Sequence, residues 1–196
     1  MGMTINYLSQ KIAKLISVFT VVPIIALLVI TIIYLNDSSF FHHNLNWYLM
    51  SIFFLVIVPL SAYWLKNYIP KYRQQGREGE RKLAFITGII GQFFGTVTVF
   101  ILNGPVGVKL LFLTYILAGI LLTICNSIIK FRASGHACGV AGPLTFLIFI
   151  LGKNYLASFI LLPLVFWSRL KLRRHTMSEL VLGALLGVIA TVTVVY

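Results

Sequence analysis

An all-α integral membrane fold, a bundle of six to seven transmembrane helices, is what this chain predicts, and three observations carry the expectation. Hydrophobic residues make up 59% of the 196 and charged residues only 10%, where a soluble domain carries about 25% charged. The mean hydropathy is +0.96. Apolar runs approaching or reaching the ~17–25 residues of a spanning helix recur between polar turns. No water-soluble fold of this size hides so much apolar surface, so the bilayer is the solvent for most of it.

The runs follow in order. Lys11 and Lys14 flank the first, residues 15–35. It is too long for a signal-peptide core and reads as the first helix. Residues 47–65 form the second, with Trp47 and Tyr48 at one interface and Tyr63 and Trp64 at the other, as aromatic belts prefer. A polar loop, 66–82, leads to the third run, 83–102, which stops at Asn103-Gly104-Pro105. The fourth is 106–129. The fifth, 137–151, and the sixth, 155–167, are short and form a hairpin about Gly152-Lys153-Asn154. Pro143 lies near the start of the fifth, and Pro163 is expected to kink the sixth. The seventh is 180–195. There is no internal repeat, and residues 1–196 read as a single polytopic domain.

Net charge is +12, from sixteen Lys/Arg against four Asp/Glu. Those cations sit between apolar runs rather than as a stripe on a soluble domain, which argues against nucleic acid. Seven alternating crossings place fourteen of the sixteen on the side of the N-terminus, with only Lys109 and Lys153 near the other. The positive-inside rule makes that side cytoplasmic. Cys125 and Cys138 lie in apolar runs and read as small packing residues. His42-His43 lacks the further ligands that a metal site needs.

Three polar segments meet on the cation-rich side, residues 130–136, residues 168–179 and the long loop 66–82. Residues 130–136 carry Lys130, Arg132, Ser134, Gly135 and His136. Ser134 is placed to cap the fifth helix, whose free N–H groups then face an anion. Residues 168–179 carry Ser168, Arg169, Arg173, Arg174, His175 and Glu179. Arginine grips phosphate oxygens bidentately, and lysine adds a point charge. Of two histidines, one can attack phosphorus while the other protonates the leaving oxygen. Glu179, four residues after His175, is on the same helix face and can hold one ring nitrogen. Neither a metal nor a cofactor is required, since cations supply the charge stabilisation. Arg173 and Arg174 are read as serving topology or anionic headgroups. Asn126 either contacts Lys130 one turn on or bridges helices.

These blocks resemble those of the type-2 phosphatidic-acid phosphatase superfamily, the membrane lipid phosphatase branch related to vanadium haloperoxidases. Ser134-Gly135-His136 matches its Ser-Gly-His block. Ser168-Arg169, five residues, His175, three residues, Glu179 matches its second block at every spacing, with Glu in place of Asp. The resemblance covers about the last 70 residues. It implies that His175 is the nucleophile, His136 the general acid and Glu179 the residue that orients His175. Arg169, Lys130, Arg132, Ser134, Gly135 and Ser168 would hold the phosphate. The family's earlier block, Lys, six residues, Arg-Pro, is met only in spacing by Lys66 and Arg73, since Gln74 replaces the proline. Two further helices also intervene, so Lys130 and Arg132 are favoured and Lys66 and Arg73 are alternates.

The expected function is therefore metal-independent hydrolysis of a lipid phosphate or isoprenoid (di)phosphate in the bilayer, with the site on the cytoplasmic face. The alternative is a non-catalytic lipid-binding or transport protein of the same fold. A small transporter or channel is disfavoured because the spans hold almost no ionisable residues. A haloperoxidase is disfavoured because the vanadate enzymes so resembled are largely soluble.

Overall fold

The computed structural model describes residues 2–196, with side chains from Tyr7 onward, and every regular element among them is helical. The chain divides into two compact units, residues 1–25 with 117–196 and residues 26–116. Among the described residues, four helices are long and apolar enough to cross a bilayer. They are α3 (Leu45–Leu65), α5 (Gly76–Ile101), α6 (Val106–Ile128) and α9 (Met177–Val195). Only 22–33% of the residues in their apolar windows are buried within the protein, and large apolar side chains such as Phe93, Phe94, Leu185 and Ile189 face outward. Lipid is the medium that solvates such surfaces, so the chain has the build of a multi-pass membrane protein.

Several expected elements differ. The first run is broken. An N-terminal helix, α1 (Gly2–Phe19), meets α2 (Val22–Asn36) at a 57° bend. Pro23 explains the break, because it has no N–H for the Phe19 carbonyl and its ring crowds the preceding turn. The two count as a fifth span only if taken together. The polar stretch 66–82 is largely helical, with α4 (Pro70–Gln74) followed by the start of α5. The fifth run is α7 (Gly135–Leu151), a shorter apolar helix with Pro143 in its interior. The sixth is a 3₁₀ segment, Lys153–Ile160, that passes into α8 (Leu161–Lys171). Pro163 is in the first turn of α8, where a missing N–H costs nothing, so it starts a helix rather than kinking one. Ser168 and Arg169 consequently lie on a helix, not in a loop.

In the unit of residues 26–116, α3 and α5 cross closely at Gly91, where a Cβ would come within 2.2 Å of the Phe54 carbonyl oxygen. Gly95 likewise makes room for the Phe112 ring. A π-helical turn, Phe53–Ile57, interrupts α3 just before Pro59, the kind of local widening that a proline's missing donor favours.

The other unit is built on a seam of small residues. On α9, Gly183 and Gly187 are four apart, and Thr191 follows at the same interval. Opposite them lie Ser134, Cys138 and Gly142, also four apart. A Cβ at Gly183 would sit 2.4 Å from the Ser134 carbonyl oxygen, and one at Gly187 would sit 2.5 Å from that of Cys138. Thr191 Oγ1 donates to the Gly142 carbonyl at 3.1 Å. Ala137, Ala141, Leu180 and Ala184 fill the seam. Small residues let helix backbones approach this closely, as in other membrane bundles. The contact fixes the register of α7 against α9, and so the offset between His136 and Glu179.

Candidate functional site

The loop before α7 is shaped by the end of α6. A π turn, Ile124–Ile128, closes that helix, and Lys130 then takes φ +60°. Phe131 N–H donates to the Cys125 carbonyl at 3.0 Å, and Asn126 Nδ2 reaches the Ala133 carbonyl at 3.4 Å. Asn126 therefore braces the loop. Ser134 is fully buried and its backbone N–H donates to the Glu179 carbonyl at 2.9 Å. Its hydroxyl caps α7, accepting from Ala137 N–H at 3.4 Å. Gly135 opens the helix with nothing within 4 Å of where a Cβ would stand. The N-terminus of α7, with the positive end of its dipole, is thus open at Gly135.

The second segment ends α8 with a Schellman motif. Arg173 takes φ +49°, and its N–H donates to the Leu170 carbonyl at 2.9 Å. Arg174 N–H donates back to the Arg169 carbonyl at 3.0 Å. The chain then enters α9 through a capping box. Thr176 Oγ1 accepts from Glu179 N–H, and Glu179 Oε2 accepts from Thr176 N–H at 3.1 Å. That same Oε2 is 2.8 Å from His175 Nδ1. A carboxylate only accepts, so Nδ1 carries a proton; when the ring is neutral, its lone pair is on Nε2. The His175 side chain is only 5% exposed.

Arg169 is buried, and its Nη1 donates to Ser17 Oγ on α1 at 2.9 Å. Arg174 Nη1 donates to the same oxygen at 2.9 Å. Ser168, one residue back and a third of a turn round the helix, points into the α1–α8 seam. Its hydroxyl donates to the Ala13 carbonyl at 2.6 Å. The resemblance places Ser168 at the phosphate; in the structure its proton is committed to joining two helices.

His136, in the first turn of α7, has a buried Nε2 without a hydrogen-bond partner. Burial lowers its pKa to about 3, and the nearby charges of Arg169, Arg174 and His175 push the same way against hydrogen bonding to the Ser17 backbone. The ring is thus neutral at rest. Arg132 is exposed and acts electrostatically on Glu179. Lys130 is exposed at the head of the loop. The alternates Lys66 and Arg73 belong to the other unit, where Lys66 forms an ion pair with Glu80 and Arg73 is exposed.

His136, Arg169, Arg174, His175 and Glu179 thus converge from the ends of α7, α8 and α9. Two contributors are absent from the sequence reading. Arg174, read as serving topology or anionic headgroups, shares the Ser17 oxygen with Arg169. Ser17 lies in the run read only as the first span. The signal for it is a spacing of small buried residues, Ala13 and Ser17 on α1 and Thr20 just past its end. No protein-family model matches the chain, and neither a curated protein nor a solved structure matches it.

Proposed function

We propose that this chain is a membrane phosphatase that hydrolyses a lipid phosphate or isoprenoid (di)phosphate, without a metal, through a phosphohistidine at His175. The observation that carries the reading is the 2.8 Å contact between His175 Nδ1 and Glu179 Oε2. It sets the tautomer in which Nε2 is nucleophilic. Nε2 attacks phosphorus, and the bond from phosphorus to the leaving oxygen breaks as His136 gives that oxygen a proton. Water then attacks the phosphohistidine, giving a proton to His136 and releasing inorganic phosphate and His175. Arg169, Arg132 and the open N–H of Gly135 stabilise the charge on the phosphoryl oxygens. An arriving phosphate offsets the cations that add to burial in keeping His136 neutral, and so favours the acid form that this step uses.

The substrate's tail lies in the bilayer and its headgroup at the ends of α7, α8 and α9. Lys130, Arg132, Arg169, Lys171, Arg173 and Arg174 cluster at these ends, against Lys153 in the connection between α7 and α8. That asymmetry supports a cytoplasmic site. Phosphate release from short-chain phosphatidic acid, phosphatidylglycerol phosphate and isoprenoid phosphates in detergent tests the reading. Turnover of at least one is expected. Binding without turnover of any would favour the lipid-binding alternative.

A further inference from the structure

We propose that Ser17 and Arg174 complete the phosphate-gripping cradle, with Arg174 supplying a further cation in place of the incomplete Lys66–Arg73 block. The inference rests on the phosphatase reading only for its kinetic arm. Its basis is geometric. The Schellman turn at Arg173 folds the chain so that Arg174 N–H bonds the Arg169 carbonyl. Both side chains leave the end of α8 together and place an Nη1 2.9 Å from one Ser17 oxygen. Two guanidinium groups held this close create a repulsion that an anion relieves. A phosphoryl group does offset it, because its anionic oxygens accept from both forks at once. The same residue, Ser17, also faces His136 through its backbone. One turn of α1 therefore touches both gripping arginines and the proposed acid.

Ser17 is able to do this because its helix face is small. Ala13, Ser17 and Thr20 are all buried, while the residues between them are exposed or half-buried. Ser168 Oγ fastens that face to α8 through the Ala13 carbonyl. Ser17 is thus a positioning residue that aims Arg169 and Arg174. The ligand is a phosphoryl anion with at least two ionised oxygens, so a phosphomonoester or terminal diphosphate fits better than a diester, which offers a single negative charge.

The test measures affinity for inorganic phosphate by calorimetry on the full chain in detergent, and then kinetics with a short-chain lipid phosphate. Arg174→Ala is expected to weaken phosphate binding by about ten- to a hundredfold, the value of a charge-assisted hydrogen bond. Arg173→Gly removes the same charge one residue away and suits the positive φ, so it should stay within about threefold. Ser17→Ala, nearly isosteric, should raise KM by roughly five- to twentyfold with a smaller change in kcat, and Ser17→Thr should restore much of it. Equal losses in Arg174→Ala and Arg173→Gly would reduce the effect to general charge and overturn the cradle. So would unchanged binding in Arg174→Ala. If phosphate binds in an Arg174-dependent way but no lipid phosphate turns over, the cradle stands and the phosphatase reading fails. If turnover is present yet indifferent to Arg174, the phosphatase reading stands and the cradle fails.

Discussion

Replacing Glu179 by Gln separates the chemical role of this carboxylate from its structural one. Glu179 Oε2 accepts two hydrogen bonds, from His175 Nδ1 at 2.8 Å and from Thr176 N–H at 3.1 Å. Glutamine keeps the arm length and one accepting oxygen, and it serves capping boxes nearly as well as glutamate. The structural cost is therefore mainly the lost anion at a helix N-terminus, about 0.3–1 kcal/mol. A chain of this length should show that as a fall of roughly 1–4 °C in melting temperature. The chemical cost is larger. The carboxylate fixes the Nδ1–H tautomer and offsets the positive charge that grows on the ring as Nε2 bonds phosphorus. A hydrogen bond to a charged partner contributes about 1.5–3 kcal/mol, so kcat should fall roughly ten- to a hundredfold or somewhat more. KM should move little, because Glu179 does not touch the phosphate. Steady-state phosphate release alongside thermal melting in the same detergent reads both. A variant with kcat within about threefold of the parent would refute the orienting role. A large melting shift with a proportionate loss of activity would show that Glu179 acts only as a helix cap.

Two further outcomes follow from the geometry. Gly183→Ala places a methyl group 2.4 Å from the Ser134 carbonyl oxygen, which should destabilise by about 1–3 kcal/mol and displace His136 from the α9 side of the site, lowering turnover; an unchanged melting temperature would mean that the seam is looser than described. His136 titrates near 3 when folded against 6.5 ordinarily. Between those values the unfolded chain binds the extra proton, so stability rises with pH toward 6.5 and is lost as pH falls below it. His136→Asn should accordingly flatten the pH dependence of melting below pH 6.5, and an unaltered slope would contradict the buried neutral ring.

Much of the candidate site's local geometry was legible because its residues are tied by short sequence intervals. His175 and Glu179 are one helical turn apart, and a helix start makes them meet. Ser134 lies where a cap belongs, ahead of an apolar helix. The contact of Arg174 with Ser17 was not legible because composition treats a run of cations as one unit, whereas the left-handed residue Arg173 gives its neighbour a separate direction. Ser17 was invisible because it is more than 150 residues from its partners, and no local pattern reports so distant a contact. Broken spans were missed where hydropathy outweighed Pro23, which leaves a run apolar while ending its helix. The α7–α9 seam was written in Gly183, Gly187 and Thr191, but spacing of small residues within a span names a face without naming its partner.

Trapping the covalent intermediate tests the central claim most directly. Purified protein is mixed with a short-chain lipid phosphate, quenched in alkali where phosphohistidine survives, and analysed by peptide mass spectrometry. The account predicts an acid-labile phosphate on the peptide carrying His175, with both that phosphate and turnover abolished in His175→Ala. Turnover that persists in His175→Ala, or phosphate found on another residue, would contradict it.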